Sequence, residues 1–286
     1  MEAEALALLG RSGAALRQLG MWRPPASGPA GPRLLGAVFI VATCAIVAVA
    51  SAVQLVVDTP DDPETLRDVF FQCTNCSSWT IRIVLFMQQR ARLGHLVMTL
   101  LHTRKRYAEL VPGIRSSYDR GAVIIFFAWQ VLPFTSISLW ALGPVTDTPK
   151  LVTAGNSSVV ERREPMVLWL PLDTQQSPTY EIVFVLQVVG VVAMSEVSIL
   201  LDIFFVCLMI HVTAEIAVLN KNVSSIHLLG LNGERSQLLE LVDMTAGGEL
   251  CVSELEQGMS ESTYVVLLVN ALTICLQAFG FVEVGT

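Results

Sequence analysis

Charge is what this sequence lacks most. Only 15% of its 286 residues are Asp, Glu, Lys or Arg, where soluble globular domains carry roughly 25%. Hydrophobic residues reach 53%, above the ~45–50% of such domains. That balance excludes a soluble two-domain enzyme. No basic stripe with interleaved aromatics occurs, so no nucleic-acid surface is expected. No Gly-rich phosphate loop, metal-ligand quartet or Ser-His-Asp set in context occurs either. Catalysis, a cofactor and a bound metal are therefore not expected. Of the six cysteines, only Cys73 and Cys76 show motif spacing, and a zinc site wants four ligands. The pair reads as two buried or half-buried thiols. The net charge of −7 averages over two sides of a bilayer and identifies no partner.

What is present is a series of long apolar runs. Residues 34–57 carry no charge, and about 20 apolar residues cross the hydrocarbon core. Their length and flanks point to an uncleaved signal anchor. Residues 122–142 form a second clear span, with Pro133 inside it. Proline is tolerated there because neighbouring groups satisfy the freed carbonyl. Residues 182–212 are apolar except for Gln187, Glu196 and Asp202. At 1.5 Å per residue they exceed the ~30 Å core, so this helix should tilt or project. Residues 264–281 are just long enough to span.

A fifth span, 69–89, is less apparent, because Arg82 lies in its interior. Charge separation argues for it. The preceding stretch is acidic (Asp58, Asp61, Asp62, Glu64, Asp68), and the following one is basic (Arg90, Arg92, Arg104, Lys105, Arg106, Arg115, Arg120). A span between them puts these charges on opposite faces. The expected fold is an all-α, polytopic transmembrane bundle of five spans in a single membrane domain over 1–286. Residues 1–33 form a cytoplasmic N-terminal segment, 143–181 the second extracellular loop and 213–263 a cytoplasmic loop.

Orientation follows from Lys and Arg. Residues 1–33 hold four arginines and 90–121 hold seven basic residues, whereas the stretch between the first two spans holds only Arg67. The N-terminus is therefore expected in the cytoplasm. The Asn156 sequon falls in an outer loop and is expected to be glycosylated, while the Asn222 sequon falls inside and is not.

The approach to the fourth span, "LPLDTQQSPTYEIVFVLQ" (170–187), has a physical reading of its own. Ser177-Pro178 disfavours helix before it. Glu181 then sits in the first turn, where the helix dipole favours an acid. Tyr180 is an interfacial aromatic. The same stretch resembles insect odorant receptors, in which Pro-aromatic-Asp-x-x-x-Ser-Pro-x-Tyr-Glu precedes an apolar helix. Here it reads Pro171-Leu172-Asp173, then Ser177-Pro178-Thr179-Tyr180-Glu181, with Leu172 in place of the aromatic. "LGMWRPP" (19–25), "DIFFVCLMIHVTAEIAVL" (202–219) and "LLVNALTICLQAFGF" (267–281) are similar to further patches of that family, in the same order.

The resemblance implies a seven-span subunit with a cytoplasmic N-terminus in the plasma membrane of a sensory neuron. It implies a tuning subunit that binds a small volatile ligand and joins a co-receptor in a hetero-oligomeric, tetrameric, odorant-gated, non-selective cation channel. It also places the odorant pocket in the outer half of the bilayer, a pore along span seven and an intracellular helical anchor. The sequence stops after the fifth span, so the expectation is a truncated chain that lacks spans six and seven. Alternatives are a truncated membrane protein that modulates assembly of full-length subunits, a gustatory receptor and a small-molecule transporter. No internal repeat supports the last.

A pocket for small volatiles is apolar with an occasional hydroxyl or aromatic. Pro133, Ser136, Ile137 and Trp140 share one face of the third span, at i, i+3, i+4 and i+7. Val189 and Ala193 lie one turn apart in the fourth. Phe71, Thr74 and Ser78 share a face of the second. These nine are the candidate ligand-binding residues. Glu196 and Asp202 are acids at membrane depth, where such residues face protein or water, and pairing with Arg82 would explain them. His211 and Glu215 are four apart. Two ligands are too few for a metal, so they read as a cytoplasmic helix-end contact.

Overall fold

The structure, a computed structural model, describes residues 2–22, 33–57, 59–60, 62–107, 112–146, 150–154, 157–161, 164–172, 174, 176–228 and 235–284. Six helices account for most of them: α1 (Glu2–Gln18), α2 (Arg33–Val57), α3 (Pro63–Arg106), α4 (Pro112–Thr146), α5 (Thr179–Leu228) and α6 (Arg235–Val284). The fold is the expected all-helical one, with a small addition between α4 and α5. There β1 (Lys150–Ala154) and β2 (Ser157–Glu161) pair as an antiparallel hairpin.

Local chemistry sets the helix ends. Helix α3 starts at Asp62-Pro63, where the Asp62 carboxylate accepts hydrogen bonds from the backbone N–H (3.0 Å) and hydroxyl (2.8 Å) of Thr65. Pro63 at the first helical position loses nothing by lacking an N–H. Helix α5 begins directly after Ser177-Pro178, with Glu181 in its first turn, as the proline predicts. Helix α1 closes in a Schellman motif, with Met21 N–H bonded to Leu16 O (2.9 Å), Gly20 N–H to Arg17 O (3.1 Å) and Gly20 at φ 76°. Glycine takes that left-handed position without the Cβ penalty. The closure turns the chain so that Met21 and Trp22 are fully buried.

Among the described residues, α2, α4, α5 and α6 contain stretches long and apolar enough to cross a membrane. Helix α3 is not one of these, although residues 69–89 are helical throughout. Its polar side chains lower the hydropathy, yet they are satisfied as a bilayer requires. Thr74, Asn75 and Thr80 bond to carbonyls one turn back, and Gln72 donates to Ser51 of α2 at 2.8 Å. The apolar window of α5 is 72% buried, against 22% in α2 and 6% in each of α4 and α6. Helix α5 is thus the core element and the other three present apolar faces outward.

Residues expected to connect the fourth and fifth spans, 213–263, are helical where described. Residues 213–228 continue α5, and 235–263 form the first half of α6. An amphipathic helix, here with Met244, Cys251 and Leu255 buried at helical spacing among acids, leaves no continuous apolar run to detect. The N-terminal segment likewise contains α1.

The chain divides into two compact units. The first comprises Met1–Ala37, Leu85–Gln130 and Ile199–Thr263. Its core stacks aromatic rings: Phe86 meets Phe204 (5.3 Å) and Phe205 (6.0 Å) edge-on, and Trp22 meets Phe204 (5.9 Å). The C-terminal half of α3 lies close to α6 in this unit. A Cβ built on Gly258 would meet Leu93 at 3.4 Å, and Gln89 donates to Glu261 at 3.0 Å. The second unit comprises Val38–Val84, Val131–Ser198 and Tyr264–Thr286. Its described polar contacts run between α2 and α3, between α3 and α5, and between α5 and the segment that precedes it.

Candidate functional site

All nine residues selected for the ligand site fall in the second unit. Ser78 is buried, while Thr74, Pro133 and Ile137 are half-buried. Phe71, Ser136, Trp140, Val189 and Ala193 are exposed. The Thr74 hydroxyl is occupied within its own helix, on Phe70 O at 2.7 Å. No hydrogen bond or ring contact among the described residues joins one of the three faces to another. The Asn156 sequon and Asp173 of the resemblance lie outside the described residues.

Three polar contacts in this unit escape sequence reasoning. Arg82, 5% exposed, donates to Ser198 at 2.7 Å. Gln72 donates to Ser51. Gln187, 5% exposed, binds the segment that precedes α5 twice: its carbonyl accepts from Met166 N–H at 3.1 Å and its amide donates to Glu164 at 2.9 Å. The signal was the single amide in an apolar run. An amide at that depth demands partners, although the sequence does not say which.

The first unit holds the densest charge. Glu215 of α5 accepts from Arg104 of α3 (Nε to Oε1, 2.9 Å) and from Arg115 of α4 (Nε to Oε1, 3.1 Å; Nη2 to Oε2, 2.7 Å). Arg104 also reaches Asp119 at 3.2 Å and His211 Nδ1 at 3.2 Å. The same Nδ1 lies 3.4 Å from the Asp119 carboxylate, so it faces both a donor and an acceptor. Two guanidinium groups face two carboxylates, and the hub closes neutral. His211 and Glu215 lie inside α5, which runs on to Leu228, and they meet the C-terminal end of α3 and the start of α4 rather than an end of their own helix. The six cysteines are free thiols, with Cys76 buried and Cys73 half-buried. Among the described residues no three His, Cys, Asp or Glu side chains gather as a metal site.

Beside the hub lies a half-open cavity of about 440 Å³, with Leu8, Arg11, Arg104, Phe127, Cys207 and His211 in its lining. Its volume falls within the roughly 300–1,000 Å³ of small-molecule pockets. Glu4, also in the lining, accepts from Lys105 at 2.7 Å. That hydrogen bond is the main cause holding the Glu4 carboxyl down to about 2, so it stays ionised and paired at neutral pH.

The family model described as 7tm Odorant receptor matches residues 62–286. Odorant receptor Or1 of Anopheles gambiae is 28% identical over 138 residues, which span 48% of this chain and 30% of that relative. Among solved structures, the insect olfactory receptor OR5 of Machilis hrabei, determined in complex with eugenol, superposes with a TM-score of 0.74 at 17% identity. That match covers 98% of this chain and 72% of the other, and at this identity it speaks for the fold.

Proposed function

The chain belongs to the insect 7tm odorant receptor family, a receptor family and not one of enzymes, and from that premise we propose that it is a tuning subunit of an odorant-gated, non-selective cation channel. The family match over 62–286 carries the reading. The ligand is a small volatile molecule, and eugenol is a reasonable first probe because a solved structure of the same fold holds it. The partner is a co-receptor subunit in a tetramer, and the location is the plasma membrane of a sensory neuron. Phe71, Thr74, Ser78, Pro133, Ser136, Ile137, Trp140, Val189 and Ala193 are the proposed pocket residues. Their shared unit supports the grouping. The exposed aromatic and aliphatic members would be covered by ligand or by neighbouring helices.

Co-expression of this chain with a co-receptor in a heterologous cell tests the reading. Volatile-evoked cation currents should differ in ligand ranking from those of the co-receptor alone. Identical ranking in the presence of surface-expressed chain would refute a tuning role.

A further inference from the structure

The cavity in the first unit takes no part in the proposed odorant site, and its chemistry is of another kind. Its walls are mostly aliphatic and aromatic, from Leu8, Ala122 and Phe126 among others. Its carboxylates are already paired: Glu4 with Lys105, and Asp119 with Arg104. Arg104 is spent on Glu215, Asp119 and His211. Arg11 differs. It is exposed, and its guanidinium lies 4.8 Å from the centroid of the Phe127 ring. Among the described residues no carboxylate pairs with it.

The local backbone puts it there. Helix α1 breaks at Gly10 (φ 58°, ψ −138°), a conformation that only glycine adopts readily. On one side of the break Leu9 is 2% exposed in the core. On the other, Arg11 stands at the rim against an exposed aromatic face. A cation held over a ring keeps its donors free for an anion.

The surroundings select the anion's source. The unit also contains Arg17 and Arg120, together with Lys105, Arg106 and Arg115, which are paired with Glu4, Asp243 and Glu215. By the positive-inside rule such a belt lies at the cytoplasmic surface, where anionic headgroups concentrate.

We propose that this cavity binds an anionic lipid of the cytoplasmic leaflet, with the headgroup on Arg11 and the start of an acyl chain against Leu8, Leu101, Ala122 and Phe127. The site is separate from the odorant pocket, and neither depends on the other.

The test uses the full chain in nanodiscs of phosphatidylcholine containing a minor fraction of phosphatidylserine, read by native mass spectrometry. Wild type should retain phosphatidylserine in preference to phosphatidylcholine. Arg11→Gln should reduce that preference about fivefold or more, the scale of one basic contact to an anionic surface. Arg11→Lys should keep most of it. Ala7→Phe, at an exposed position of the lining, should exclude both lipids while leaving the melting temperature unchanged. Added oleate should displace phosphatidylserine, and inorganic phosphate should not. Equal retention of the two lipids by wild type, or full retention by Arg11→Gln, overturns the proposal. A loss that follows Arg17→Gln instead would assign the effect to the belt and not to the cavity. Displacement by inorganic phosphate alone would remove the acyl part of the proposal.

Discussion

Arg115 and Glu215 meet as a bidentate pair, with two parallel N–H···O contacts of 3.1 and 2.7 Å between α4 and α5. Their side chains are 11% and 6% exposed, so this ion pair is largely shielded from solvent. Breaking such a pair from one side is expensive, because the remaining charge stays buried. Glu215→Gln leaves Arg115 without its carboxylate and Arg104 with Asp119 alone. It should destabilise the protein by about 3–5 kcal/mol, read as a clear drop in melting temperature in detergent. The double substitution Arg115→Met with Glu215→Leu should recover part of that loss. A variant at residue 215 as stable as wild type would show that the hub contributes nothing to holding the three helices.

The Gln187 amide ties the loop over 164–172 to α5. Gln187→Leu fills the space but leaves the buried Met166 N–H without an acceptor, at about 1–3 kcal/mol. Hydrogen exchange at residues 166–168 should speed up by roughly tenfold or more, with exchange in the first unit unchanged. No change at Met166 would remove the loop-fastening role.

Arg82 sits within a helix of the second unit and donates to Ser198. Hydrogen bonds to charged groups contribute about 1.5–3 kcal/mol. Ser198→Ala should therefore lower stability on that scale, and Ser198→Thr, which keeps the hydroxyl, should lower it less. Equal loss in the two would point to packing and not to the hydroxyl.

Orientation has a chemical test. Endoglycosidase treatment of the chain from cells should shift its mobility, and Asn156→Gln should abolish the shift while Asn222→Gln preserves it. The reverse pattern would invert the topology.

Much of the fold was legible because lipid imposes it. The uncharged run over 34–57 is α2, and Ser177-Pro178 marks the start of α5 to within a residue. The segment over 69–89 was legible only through the opposite charges that flank it, since Arg82 and the amides mask its hydropathy. The first half of α6 was missed because its apolar residues are spaced among acids at helical intervals and form no continuous run. The hub was half visible. His211 and Glu215 are one turn apart in sequence, but Arg104 and Arg115 stand at least 100 positions away, and no local pattern encodes that pairing. The ligand-site faces could be drawn on single helices, but assembling them requires the packing of one helix against another.

The central claim is that small volatiles occupy the second unit near Trp140. Displacement of N-phenyl-1-naphthylamine from the purified chain in nanodiscs by eugenol tests it most directly. Eugenol should displace the probe, Trp140→Ala should raise its apparent Kd about tenfold, equivalent to ~1.4 kcal/mol, and Trp129→Ala should leave it unchanged. Absence of displacement, or equal affinity in wild type and Trp140→Ala, would contradict the account.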